Sequence, residues 1–258
     1  TLFVPWLIFS VFDIAVSQLV SFSSHESFAN ELLWNFLQIR GHGDQIWFVA
    51  ALFVAFIPFY FFIELYEKRP ASPRRTAAFL LGAFLLFLCD VEYSRFMPGE
   101  LLPWGTPALP WHIEYAFQGM FYMTLGYMFR QSWEAGFDRL NTHTWRAALF
   151  VFYAVLIYLP YFIDVPETAF RLIAVFVAPA AGIALVTAFS KVIPPNRYML
   201  YIGQNTLIYF ALHGKLFSFV EGMLTRFAPG FYGGILANAW LSNIFAVAFT
   251  VLLSFALL

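Results

Sequence analysis

The chain has 258 residues, 61% hydrophobic, 21% aromatic and 11% charged, with a formal net charge of −1. A soluble domain carries about a quarter charged residues, and a near-neutral balance leaves no electrostatic footprint for nucleic acid. One cysteine, Cys89 in an apolar run, excludes an intrachain disulfide framework. Mean hydropathy is +0.73, and the apolar runs are continuous and close to about twenty residues each. That pattern predicts an all-α, polytopic transmembrane helix bundle, whereas a membrane β-barrel would show alternating segments of about ten residues.

Eight spans are predicted in one domain, at about 1–22, 45–66, 75–94, 112–130, 146–163, 171–190, 198–222 and 236–258. Apolar sequence starts directly after Thr1, with no signal-peptide layout, and Leu258 lies inside another apolar run. Both ends read as cut points, so a fragment is expected. Between spans one and two, Leu32, Leu33, Phe36 and Leu37 recur as on a short helix lying on the membrane. Span two holds the run Ile46 to Ile63, broken only by Pro58, which neighbouring helices can accommodate. The link at 66–75 is short and basic. Residues 97–111 carry four prolines and two glycines and are predicted irregular. The link at 131–145 reads as a small amphipathic turn.

Lys and Arg set the orientation. Links after spans two, four and six hold nine of them, and the other side holds five. The nine-residue side is therefore expected in the cytoplasm, with the first span running outward. Most unusual polar residues then fall on the outer half: His42, Asp44, Asp90, Glu92, Tyr93, His112, Glu114, Gln118, His213 and Glu221.

Two polar stripes stand out. Asn205, Tyr209 and His213 repeat every four residues in span seven, a rise of about 12 Å on one helix face. Glu114, Gln118 and Tyr122 repeat likewise in span four. Polar groups in hydrocarbon are costly and normally face a protein interior or a wet cavity. Residues near span ends also have a plainer reading as solvated interfacial groups, and Asn205 as a helix–helix hydrogen bond. No G-x-S-x-G, phosphate-binding loop or H-E-x-x-H is present, and the His and carboxylate spacings match no zinc pattern, so no metal is expected. The residues alone allow two chemistries: acid–base work on a hydroxyl, or a proton-coupled transport path for a small anion or lipid-linked sugar.

Three segments carry a family resemblance. G-D-Q-I-W-F-V-A-A-L-F at 43–53, A-F-Q-G-M-F-Y-M-T-L-G-Y-M-F at 116–129 and I-G-Q-N-T-L-I-Y-F-A-L-H at 202–213 resemble, in order and spacing, elements of the acyltransferase-3 family of integral membrane O-acyltransferases. Thr206 stands where the family more often has Ser, and Gln45 where a His or an apolar residue often precedes the Trp-Phe pair.

The resemblance implies a ten-helix fold, of which this chain would lack the first two helices together with a basic-His element that supplies the principal base. It implies acyl-CoA, most commonly acetyl-CoA, as a co-substrate rather than a tightly bound cofactor, and a hydroxyl acceptor on a surface or secreted glycan. A bacterial inner-membrane location follows. On this reading Glu114, His213 and His112 are the catalytic candidates within the chain. Gln118, Asn205, Tyr209, Asp44 and His42 position polar atoms, and Trp47 stacks a sugar ring or anchors the interface. Arg74, Arg75, Arg130 and Arg197 would meet the donor's phosphates, their other reading being the ordinary cytoplasmic charge bias.

Overall fold

The computed structural model describes residues 3–20, 28–39, 47–70, 72–97, 102–163, 166–206 and 220–256. Every regular element among them is helical, as the composition predicts. Contacts cluster into two compact units, Thr1–Ala50 with Pro195–Leu258, and Ala51–Pro194.

In the first unit, α1 (Phe3–Val20) packs on α2 (Phe28–Leu37), with buried Trp6 tilted against Phe36 at 6.2 Å. The short helix expected before span two is thus present as α2. It points Leu32, Leu33 and Phe36 outward and buries Asn35 and Gln38. The Gln38 amide nitrogen donates to the Asn35 side-chain oxygen at 2.9 Å, which gives that buried oxygen a partner.

Span two is α3 (Trp47–Glu67), whose first turn belongs to the first unit, and span three is α4 (Pro73–Phe96). Ser72 caps α4, accepting from the Arg75 amide at 3.3 Å, and Pro73 sits where its missing N–H costs nothing. The Arg75 guanidinium turns back onto the end of α3. It donates to the carbonyls of Leu65 at 2.8 Å and Pro70 at 3.3 Å, and to that of Arg69, and covers the Tyr66 ring. Phe79 stacks on Phe62 at 4.5 Å and lies 4.4 Å from Tyr66, so rings fasten this hairpin.

Residues 102–109 form irregular turns, as their prolines require. Span four then differs from the single helix expected over 112–130. It opens with a 3₁₀ turn (Pro110–Tyr115), continues as α5 (Ala116–Met128) and ends in a π turn (Phe129–Trp133). The amphipathic link is α6 (Glu134–Leu140), and spans five and six correspond to α7 (His143–Tyr158) and to α8 (Glu167–Leu172), a π turn (Ile173–Val177) and α9 (Ala178–Ser190).

The core of this second unit lies where α4 meets α5. Ala83, Phe87, Val91, Met120 and Phe121 are buried together, with Phe84 and Phe176 packed against them. Approach is close enough that a Cβ on Gly119 would meet the Ala55 Cβ at 2.5 Å. Tyr122 reaches from α5 to the π turn, donating to the Val175 carbonyl at 2.5 Å. A π turn loosens the regular backbone ladder, and here a side chain uses one of its carbonyls.

The remaining helices belong to the first unit: α10 (Arg197–Gln204), a helical stretch at 220–227, α11 (Pro229–Leu236) and α12 (Ala239–Ala256). Asn196 caps the start of α10, and Asn205 closes it with its amide on the Tyr201 carbonyl at 2.8 Å. The continuous helix expected over 198–222 is therefore interrupted at Asn205.

Three helices among the described residues are long and apolar enough to cross a membrane: Trp47–Glu67, Pro73–Tyr93 and Ala169–Ser190. Pro229–Leu236 and Trp240–Phe249, bent by 113°, make a fourth if they are one span. These segments present large apolar side chains outward, Phe56, Phe61, Leu85 and Val186 among them. That is the arrangement lipid-facing helices need.

Candidate active site

The polar focus of the second unit is the head of α5. Pro110 starts a 3₁₀ turn that ends at Tyr115, and within it Trp111 (φ 58°) and His112 (φ 54°) both take left-handed backbone conformations. Each such residue costs about 1–2 kcal/mol when it carries a Cβ. Two in succession, neither of them glycine or asparagine, mark backbone strain of the kind that gathers at functional sites. The strain has a visible result: both His112 and Glu114 are buried, at 2% and 7% exposure, although only one residue separates them.

Glu114 is held from both sides. Its Oε2 accepts the Leu109 amide at 3.0 Å, and its Oε1 lies 3.5 Å from His112 Nδ1. That separation permits charge pairing and is longer than a good hydrogen bond. The His112 ring stacks with Tyr115 at 6.0 Å, and Trp111 meets Phe53 of α3 edge-on at 6.0 Å. A buried carboxylate and imidazole in one apolar surround form a unit that can take up and return a proton.

A second carboxylate fixes the helix start. Asp90 of α4 accepts the backbone amides of Phe117 at 2.7 Å and Gln118 at 3.0 Å through one oxygen, Oδ2. Tyr115, at the cap position of α5, makes no side-chain cap. Asp90 supplies that cap from a neighbouring helix, where a negative charge also suits the positive end of the helix dipole.

The structure brings together His112 and Glu114, and Gln118 is half-buried in the first turn of α5 with its backbone amide on Asp90. The stripe expected from Glu114 through Tyr122 is regular only from Gln118, because Glu114 precedes the α-helix. Asn205 and Trp47 belong to the other unit. Trp47 is exposed at the start of α3, edge-on to Phe48, and Asn205 ends α10. His42, Asp44, Tyr209 and His213 lie outside the described residues, as does most of the stripe at 202–213.

The basic candidates are spread out. Arg74 and Arg197 are exposed, Arg130 lies 3.8 Å from Glu134, and Arg75 serves the end of α3. Arg146, not singled out from the sequence, is buried with its guanidinium on the Asn141 carbonyl at 2.9 Å, the Asn141 side chain at 3.1 Å and His143 Nδ1 at 2.9 Å. In sequence it looks like one more cytoplasmic arginine. Asp90 is visible in the sequence as a polar residue near a span end, but nothing there shows that it turns onto α5.

The family model described as an acyltransferase domain matches residues 1–258, the whole chain. No curated protein and no solved structure matches it. The match extends well beyond the three segments that first suggested it, and it places the buried His112–Glu114 pair within an acyltransferase domain that carries apolar, span-length helices. The chain belongs to the acyltransferase-3 family and is a membrane acyltransferase.

Proposed function

We propose that this enzyme moves an acyl group, acetyl by preference, from cytoplasmic acyl-CoA to a hydroxyl of an extracytoplasmic glycan or related surface molecule. The chain contributes eight spans to the bundle, the first running outward, in a bacterial inner membrane. The head of α5 then lies toward the acceptor side. Arg74, Arg75, Arg130 and Arg197 are the donor-phosphate candidates, and Arg75 also holds the α3–α4 corner in shape. By the family resemblance, His42, Asp44, Trp47, Asn205 and Tyr209 serve acceptor binding and His213 assists the chemistry.

The observation that carries the reading is the buried, backbone-strained His112–Glu114 pair. In the reaction the acceptor O–H bond breaks and its proton passes to the pair. The freed oxygen forms a bond to the thioester carbonyl carbon, the carbon–sulfur bond breaks, and the proton returns to the departing thiolate. Glu114 is fixed in place because the Leu109 amide holds its other oxygen. Gln118, one turn into α5, supplies an amide to orient the acceptor.

Glu114→Gln in the full-length protein tests this. Mass spectrometry of surface glycans should show loss of one acyl mass per modified sugar, with unchanged amounts of enzyme in the membrane. An unmodified glycan profile, with or without the gene, would instead support transport of an anion or lipid-linked sugar.

A further inference from the structure

Tyr93 sits one turn before the end of α4, where a tyrosine ordinarily serves as an interfacial anchor with its hydroxyl in the headgroup region. Its hydroxyl does not do that. The Tyr93 Oη is buried, and no group among the described residues bonds to it. Buried phenols normally find a partner, so this one calls for a specific explanation.

Its neighbourhood supplies one. Asp90, three residues earlier on α4, is bound to the amides of Phe117 and Gln118, so this face of α4 is turned onto the head of α5. α4 also contacts the Pro110–Tyr115 turn that carries Glu114, and the buried Glu114 Oε1 accepts no hydrogen bond from the described residues. A phenol O–H and a carboxylate oxygen, both buried and neither hydrogen-bonded among the described residues, stand on the two sides of one helix junction. A hydroxyl group is the ligand complementary to that combination. It accepts one hydrogen bond through its oxygen and donates one through its proton.

We propose that Tyr93 is a substrate-binding residue whose hydroxyl, with Glu114 Oε1, seats the hydroxyl group of the acyl acceptor. Tyr93 donates to the acceptor oxygen while the acceptor's proton points at Glu114, which orients the oxygen's remaining lone pair for attack. The inference rests on the acyl-transfer reading and adds to it the group that orients the nucleophile.

Tyr93→Phe isolates the claim, since it removes one oxygen and keeps the ring. Membranes containing wild type, Tyr93→Phe or Glu114→Gln are given radiolabelled acetyl-CoA, and label in the membrane's own acceptor is followed. The expected result is a loss of transfer of at least tenfold in Tyr93→Phe, with KM for acetyl-CoA within twofold of wild type. Its thermal midpoint should be equal or higher, because an unsatisfied buried hydroxyl is removed. A loss smaller than tenfold overturns the assignment. So does a lowered thermal midpoint accompanying the loss, which would make the hydroxyl structural, and so does a defect confined to KM for acetyl-CoA. Absence of transfer by wild type itself removes the acyl-transfer reading and this inference with it.

Discussion

Asp90 Oδ2 lies 2.7 Å from the backbone nitrogen of Phe117, a residue twenty-seven positions further along the chain. The same oxygen takes the Gln118 amide, so a carboxylate from α4 closes the open end of α5. Helix starts leave four amides without partners, and in an apolar surround each is costly. The contact therefore ties the register of α5, and with it Glu114 and Gln118, to the face of α4.

Asp90→Ala should cost about 1.5–3 kcal/mol, the range for hydrogen bonds to a charged group. Asp90→Asn, which keeps an accepting oxygen, should recover much of it. Thermal midpoints of the purified enzyme in detergent measure both. An alanine variant as stable as wild type would show that α5 does not depend on this cap.

His112 offers a cleaner separation of stability from chemistry. Its φ of 54° penalises most side chains, whereas asparagine tolerates that region. His112→Asn should keep the enzyme in the membrane at normal amounts, with a thermal midpoint near wild type, and lower acyl transfer by about 100-fold or more, within the range for loss of an acid–base group. Transfer close to the wild-type rate would take the imidazole out of the mechanism.

The all-helical class and the irregular stretch before span four were legible from apolar runs and prolines. Much of the site was not. Tyr93 reads as one more interfacial tyrosine, because a period-3.6 pattern gives the face of a residue on its own helix and not the helix opposite it. The four-residue repeat from Glu114 suggests one straight helix, yet Trp111 and His112 bend the backbone in a way that neither residue type announces. Asn205 likewise fits the middle of a helix by spacing and in fact ends one. Side-chain periodicity assumes an unbroken helix, and it fails where the backbone leaves that geometry.

Gly119 and Ala55 test how tightly α5 is packed in this unit. A Cβ at 119 would stand 2.5 Å from the Ala55 Cβ, and both atoms are fixed to helical backbone. Gly119→Ala should destabilise by about 1–3 kcal/mol through overpacking. Ala55→Gly in the same chain should return most of that loss. The double-mutant cycle, read from thermal midpoints of the four proteins, should show a favourable coupling between the two sites. Additive effects would mean that the helices do not approach so closely.

Lys191 follows α9 and reaches Glu134 at 2.7 Å and Asp138 at 2.8 Å on α6, tying the amphipathic link to the end of a span. The hydrogen bonds it donates to Asp138 and Glu134 hold its ammonium above the ordinary lysine value of 10.5. The sign of the pH dependence follows from linkage. With the folded value raised, the contribution to stability is fully present below the unfolded value and disappears as pH climbs through the folded one. The thermal midpoint of wild type should therefore exceed that of Lys191→Met by a constant margin from pH 7 to about 9.5, and the margin should close at higher pH. High salt should shrink it at every pH, because the pair is open to solvent. A margin that persists unchanged into strong alkali would assign the stabilisation to the lysine's methylenes packing against α6 rather than to its charge.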